Sequence, residues 1–225
     1  MAKSRISVAL SLVIAILLSS QRVTAQNPST FYEEVPRTFY GGVLVGTNFT
    51  QVDGDAYAGY HKIGLNLGGI VYTRFSEHIA GSLEILFSQK GSRGHQVQPI
   101  GATDSFITGY NINLNYAEVP LMLNYFDRRK SHFGAGFSYS RLISGEEKIE
   151  VTQGNRAHEL DATAYPFLKS DINFLLSGNL HLVKGLFLNA RFQYSLIPIR
   201  KTHYPGIGRA EQYNNLWAVR LMYLF

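Results

Sequence analysis

The residues that could do chemistry in this chain are few and scattered. Arg74, Glu84, Glu118, Arg191 and Arg220 occupy polar positions in stretches that otherwise alternate with apolar side chains. If those positions face a common interior, the charges must pair, because an isolated buried charge is costly. Such a network could form a gated polar path for ions or protons, or a salt-bridged plug. The plug is the better reading, since a narrow enclosure leaves little room for water. The seven histidines (His61, His78, His95, His132, His158, His181 and His203) never lie three to five residues apart, so no zinc-ligand spacing appears. The chain has no cysteine, which removes disulfides and thiolate sites. It has no Gly-x-Ser-x-Gly elbow, and Gly206-Ile207-Gly208 is a lone Gly-x-Gly in a loop. His95, Asp104 and Ser105, or His158, Glu159 and Asp161, can be grouped by eye, but any long polar loop offers as many. The expectation is a protein that is not an enzyme, with no catalytic, cofactor-binding or metal-binding residues.

The elements that must position these charges begin after a leader. Lys3 and Arg5 precede the apolar run Ile6 to Leu18, and Val23-Thr24-Ala25 supplies small residues for cleavage after Ala25. Residues 1–25 are read as a signal peptide and 26–38 as a polar lead. Residues 39–225 are read as the folded domain. Removing the leader's Lys3, Arg5 and Arg22 lowers the net charge from +5 to +2. No clustered basic face suggests nucleic acid. Charged residues make up only 16% of the chain, with 14 Tyr, 14 Phe and 21 Gly, a composition suited to a sheet with one face in lipid.

From Tyr40 onward, stretches of ten or more residues alternate apolar and polar. Strands are predicted at Tyr40–Phe49, Lys62–Phe75, Ile79–Lys90, Tyr110–Phe126, Ser131–Ser144, Ser170–Leu182, Leu186–Ile197 and Asn215–Phe225. In Tyr110–Phe126 the pattern slips: Asn111, Asn113 and Asn115 are polar at odd positions, Glu118 and Asn124 at even ones. One extra residue near Ala117 would restore the phase, so a β-bulge is expected between Asn115 and Pro120. Short connections near Ser76–His78, Asp127–Lys130 and Val183–Gly185 alternate with long polar loops at Thr50–His61, Gly91–Gly109, Gly145–Lys169 and Arg200–Asn214. Short turns on one rim and long loops on the other describe an eight-stranded antiparallel transmembrane β-barrel.

The same alternation would suit a soluble, lipocalin-like carrier with its apolar face inside. Three features favour the membrane. The charged face is thin; aromatics cluster near strand ends, as interfacial girdles do; and the last strand carries Trp217, Tyr223 and a final Phe225, which match the signal that outer-membrane barrels present to their insertion machinery.

The stretches FYGGVLVGTNFTQV at 39–52, ILFSQKGS at 85–92 and NLNYAEVPLMLNY at 113–125 resemble the PorT-like outer-membrane β-barrel family of Bacteroidetes. The matching residues are Asn48, Phe49, Ser88, Gln89, Lys90, Gly91, Tyr116, Glu118, Val119 and Pro120. The resemblance implies the fold and a bacterial outer-membrane location, with termini and short turns periplasmic and long loops extracellular. Its founding member serves protein export, a role these motifs do not carry over. The expected function is a structural or interaction role in the envelope, with protein secretion as the finer form. The alternatives are a narrow channel or solute-binding barrel, and a lipocalin-like carrier. Expected partners are outer-membrane lipid, the insertion machinery and envelope or secretion proteins. The loop Gly145–Lys169, rich in Glu and Asp, is either a contact surface or a solvated loop.

Overall fold

A computed structural model describes residues 38–94, 97–99, 105–153, 156–161, 165–202 and 211–225. The leader at 1–25, most of the lead at 26–38, His95, Asp104, His203 and Gly206-Ile207-Gly208 lie outside the described residues. The strands are β1 (Phe39–Asp53), β2 (Lys62–Arg74), β3 (Ile79–Gly94), β4 (Gln98–Pro99), β5 (Ser105–Phe126), β6 (His132–Gln153), β7 (Arg156–Leu160), β8 (Ser170–Val183), β9 (Leu186–Ser195) and β10 (Tyr213–Leu224).

Eight of these close into an antiparallel ring. Its order is β5-β3-β2-β1-β10-β9-β8-β6, and β6 pairs back onto β5. Short pieces β4 and β7 add to β5 and β6 outside the ring. Closure removes the open edges that would otherwise leave backbone N–H and C=O groups unpaired in hydrocarbon. The tight turns lie on one rim. At the β5–β6 turn, the Asp127 N–H donates to the Ser131 carbonyl at 2.8 Å, and Lys130 takes a φ of 65°.

The greasy face of each strand looks outward. Leu221 is 48% exposed and Leu176 46%, whereas Arg191 and Arg220 are each 2% exposed. This orientation excludes the carrier with an apolar interior. Along β10 and the residue that follows it, the outward apolar set runs Trp217, Val219, Leu221, Tyr223 and Phe225. That nine-residue stretch is the length of about 9–11 residues that a tilted strand needs to cross a bilayer. On β1, β3, β5 and β10 the outward face changes from apolar to polar at matching heights: Phe49 gives way to Gln51, Phe87 to Gln89, Ala117 to Asn115 and Trp217 to Asn215; on β6 the change from Tyr139 to Arg141 comes one residue pair nearer the lipid, with Arg141 opposite Ala117, and on β2 the apolar face continues through Leu65 to Ile63.

The strands do not stop at that level. At 22 residues each, β5 and β6 are about twice as long as a membrane crossing requires. Two predicted loops are therefore largely strand. β6 runs to Gln153 and returns through β7 inside Gly145–Lys169, while β3 and β5 extend into Gly91–Gly109. Above the lipid level the interior is apolar, with Val52, Tyr57, Ile107, Tyr110, Ile112, Leu114, Ile149, Val151 and Ile199 buried together. Polar loops flank this extension in sequence, which hid its strand character.

The predicted bulge is not on β5. Burial there alternates without a slip from Tyr110 to Asn124, with even positions inward. Asn111, Asn113 and Asn115 face outward, and Ile112 and Leu114 face in. The register shift between Asn115 and Tyr116 arises from an extra residue on the partner strand, since Asn115 faces Ser144 and Tyr116 faces Leu142. The extra residue is Ile143, which reverses the inward phase of β6. Pro120 sits beside an interruption instead: the β3–β5 ladder breaks after Leu83–Leu121 and resumes in the same register at Leu86–Glu118, as expected where proline has no N–H to give.

The lipid-facing assignment makes a depth-dependent prediction. Leu221→Arg, at the centre of the β10 band, should cost about 2–4 kcal/mol, while Lys148→Glu on the upper extension should be near neutral. Urea titration of protein refolded into vesicles, read by Trp217 fluorescence, would measure both. Equal effects would contradict the orientation.

Candidate functional site

The inward side chains fill the barrel in layers. Next to the short-turn rim lies an apolar and aromatic layer of Tyr40, Tyr72, Ala80, Phe187, Met222 and Leu224. His132 joins it, stacked on Phe126 at a ring-centroid distance of 4.1 Å, with Nε2 2.9 Å from the Tyr72 hydroxyl.

The next layer is an ionic triad. The Arg191 guanidinium donates to both Glu84 carboxylate oxygens, at 3.0 and 2.5 Å. Arg220 Nη1 donates to Glu84 Oε2 at 3.2 Å, and its Nε donates to Asn189 Oδ1 at 2.7 Å. Asn189 in turn donates to Asn179 at 2.6 Å. These side chains come from β3, β8, β9 and β10, brought together by closure of the ring. Gly46 makes room for them: it faces Arg220 in the β1–β10 ladder, and a Cβ there would lie 2.2 Å from the Val219 carbonyl and 2.8 Å from Arg220 Cγ.

A second ionic layer surrounds Lys90. Its ammonium lies 3.1 Å from Glu118 Oε2 and 3.6 Å from Asp171 Oδ2. It also lies 4.9 Å from the Tyr116 ring centroid. Asp171 Oδ2 accepts from Ser195 and from Asn214 Nδ2, each at 3.0 Å. In the two layers together, Lys90, Arg191 and Arg220 face Glu84, Glu118 and Asp171, so the charges balance. Buried ions are tolerable on such terms.

Of the five charges singled out in the sequence, Glu84, Arg191 and Arg220 meet in one layer and Glu118 joins Lys90 in the next. Arg74 does not join them. It lies at the end of β2 on the short-turn rim, where its guanidinium donates to the Glu77 carbonyl at 3.3 Å. Sequence reasoning left out Lys90 and Asp171, although both stand at inward positions of alternating strands. It also missed Arg200 and Glu147, which close the upper interior with bonds of 2.6 and 2.7 Å. Tyr110 donates to the same Glu147 at 3.0 Å, and Gln212 accepts from Arg200 at 2.7 Å. These residues fall in segments read as loops, and Glu147 faces inward only because Ile143 shifts the phase of β6. Trp217, Tyr223 and Phe225 all face outward, with Trp217 against Phe192 at 5.1 Å.

Of the loop groups, the His158 side chain lies outside the described residues, as His95 and Asp104 do. Glu159 and Asp161 line a cavity of about 670 Å³ on the long-loop rim, with Glu146, Leu142, Tyr165 and Phe167. Among the described residues, no three His, Asp or Glu side chains group so as to hold a metal ion.

Two predictions follow from this geometry. Glu84→Ala leaves two buried guanidinium groups without their counter-charge and should cost about 3–5 kcal/mol, while Glu159→Ala on the rim should cost little; urea midpoints in vesicles would compare them. The second concerns Asp55 in the β1–β2 loop, above the lipid level. Burial pushes its carboxyl up to about 6, and its Oδ1 accepts the Tyr57 N–H at 2.8 Å. The folded state therefore holds the proton more tightly than the unfolded chain. Stability from this group is fullest below the ordinary value of 3.8 and is lost as pH rises through about 6. Asp55→Asn should flatten the pH dependence of the unfolding midpoint between those limits; an unchanged profile would exclude the effect.

The model of a family described as "Outer membrane protein beta-barrel domain" matches residues 24–201. Among solved structures, the chain is similar to Ail, the attachment invasion locus protein of Yersinia pestis, at 9% identity over 84% of this chain and 100% of that one, with a TM-score of 0.47. It is similar to Neisserial surface protein A at 8% identity over 84% and 98%, with a TM-score of 0.46. It is also similar to the outer membrane protein AlkL at 15% identity over 90% and 97%, with a TM-score of 0.37. A search of curated proteins finds no match.

Proposed function

The chain belongs to the outer membrane protein beta-barrel domain family and sits in the outer membrane, and from that premise we propose that it is a closed, non-enzymatic barrel with a structural or interaction role in the envelope. The observation that supports this reading is the filled interior. The space around Glu84, Arg191 and Arg220 has no room for a water molecule. An apolar layer lies below it, and the Lys90 layer and the upper apolar core lie above it. A conducting path would have to break several buried ion pairs at once.

With the lumen closed, the surfaces left for function are the wall and the extracellular extension. The extension is rigidly held, since β5 and β6 pair along their whole length, and functional residues concentrate on loops carried by such scaffolds. Its cavity sets Glu146, Glu159 and Asp161 around Leu142 and Phe167, which suits a contact surface for an envelope protein. A link to protein secretion is the finer form of this reading; the PorT-like motifs around Gln89 and Glu118 support the fold and do not themselves carry the export role. Contact with the insertion machinery through Trp217, Tyr223 and Phe225 belongs to the same reading.

Single-channel recording in planar bilayers tests the closed barrel. The expected result is a flat baseline for the wild-type protein. Regular unitary steps would overturn it in favour of the narrow channel. Crosslinking in native envelopes tests the interaction role: recovery of a defined envelope or secretion protein, lost when residues 146–161 are replaced by a short turn, supports it. Unchanged recovery after that replacement would remove the extension from the role.

A further inference from the structure

The barrel wall parts between β2 and β3. Their ladder ends at Asn66–Ser88, yet β2 continues to Lys62 along β1 and β3 continues to Gly94 along β5. Above Asn66, side chains take over from the ladder. The Leu65 N–H donates to Gln89 Oε1 at 3.0 Å. Asn48 Nδ2 donates to the Gln89 carbonyl at 2.9 Å, and Thr50 Oγ1 donates to the Gly91 carbonyl at 2.7 Å. Gln89 Nε2 donates to Asn115 at 3.0 Å. Lys62 crosses Gly91 to donate to Asn113. Gly91 has a φ of 133°, and a Cβ there would lie 2.0 Å from the Ile112 carbonyl and 3.2 Å from Lys62 Cε. Glycine keeps that crossing open.

The parted wall leaves a largely polar notch of about 320 Å³ whose lining includes Lys62, Gln89, Asn113, Asn115 and Glu146, with Ile63 and Leu114 beside them and the buried Lys90 at its inner end. Its height identifies its surroundings. Gln89 and Asn115 are the first polar residues above Phe87 and Ala117 on the outer wall, so the notch opens where lipid headgroups of the outer leaflet lie. Arg93, exposed on β3, stands two residues beyond Gly91 and opposite Asn111, on the outward face that Gln89 and Asn113 share. Two cations therefore flank a set of amide side chains. Glu146 forms the far wall and is paired with Lys148 at 3.2 Å, which leaves it able to accept hydroxyls while its charge is partly offset.

We propose that this notch binds the phosphorylated, hydroxyl-rich headgroup of an outer-leaflet glycolipid, with Lys62 and Arg93 on the phosphate and Gln89, Asn113 and Asn115 on the sugar hydroxyls. Cations suit phosphate oxygens through charge-assisted bonds. Amides both donate and accept, as sugar hydroxyls require. The acyl chains would then lie against the outward band of Leu65, Leu67 and Ile85. The site shares Glu146 with the cavity of the extension, but Lys62, Gln89, Asn113 and Asn115 lie outside that cavity, so the two readings can fail separately.

The test uses the full protein refolded into phosphatidylcholine nanodiscs doped with purified lipopolysaccharide, with phosphatidylglycerol, or with neither, followed by native mass spectrometry of the lipid retained on release. The wild-type protein should retain the glycolipid, hold phosphatidylglycerol poorly and gain nothing from inorganic phosphate. Lys62→Met with Arg93→Gln should lower glycolipid retention about tenfold or more, the scale of losing charge-assisted bonds. Lys201→Met, at an exposed lysine that neither lines the notch nor pairs with a residue that does, should not. A second measurement needs no variant: dephosphorylated glycolipid should compete poorly against the intact lipid on the wild-type protein. Equal retention by the double variant, equal competition by the dephosphorylated lipid, or equal retention of phosphatidylglycerol would each overturn the assignment. A phosphate ion that displaces the glycolipid would show a free-anion site instead.

Discussion

The constraint on which this molecule depends is that the inside of an eight-stranded ring must be filled by its own side chains. Such a ring is too narrow for bulk water, so each polar group that points inward has to find a partner there. Glu84 meets two guanidinium groups, and Lys90 meets two carboxylates. The layers differ in sign and cancel across the stack, with three cations against three acids. Neither layer would be neutral alone. The glycine at position 46 is part of the same constraint, since the Arg220 stem occupies the space that a side chain there would need.

The wall stands in two solvents, and the meaning of its alternation changes between them. Within the lipid, apolar residues face out and polar ones face in. Above the lipid, water lies outside and a protein core lies inside, so the chemistry inverts while the geometry of β5 continues unbroken from Asn124 to Tyr110. Asn111, Asn113 and Asn115 are outward for the same backbone reason that Val119, Leu121 and Leu123 are outward. A reader of one strand meets an apparent slip and infers a bulge. The slip is a change of surroundings, and only the height of the residue above the membrane distinguishes the two. The true bulge, at Ile143 on the neighbouring strand, had no comparable signature, because β6 is polar on both sides of it.

That distinction explains which parts of the site were legible. The orientation of the wall, the strand count and the inward placement of Glu84, Arg191 and Arg220 follow from period-two patterning inside the lipid band, where one rule holds. Lys90 and Asp171 obey the same rule but stand at the ends of the predicted strands Ile79–Lys90 and Ser170–Leu182, where parity alone does not say whether a side chain enters the interior or leaves with the loop. Glu147 and Arg200 could not be placed, since their phase depends on a bulge and on strands that continue through polar segments. Arg74 had the right parity and the wrong height. At the rim an arginine reaches a turn carbonyl, and parity alone ceases to predict a partner.

The parting of β2 from β3 lies at the level where the two regimes meet. Two adjacent strands there follow different neighbours upward, β2 with β1 and β3 with the long β5–β6 pair, and a backbone ladder cannot serve both directions. The unpaired N–H and C=O groups would be costly at a membrane boundary, so Asn48, Thr50 and Gln89 take them up with side-chain amides and a hydroxyl. This gives a structural reason for the cluster of Asn48, Ser88, Gln89, Lys90, Gly91 and Glu118. On the inner side of the wall the cluster anchors the Lys90 layer. On the outer side it replaces a missing stretch of ladder, and a wall latched by side chains exposes amides where a continuous sheet would present only a closed backbone. Filling the inside and latching the outside are thus performed by neighbouring residues of one short segment, and a change at Gln89 or Lys90 acts on both.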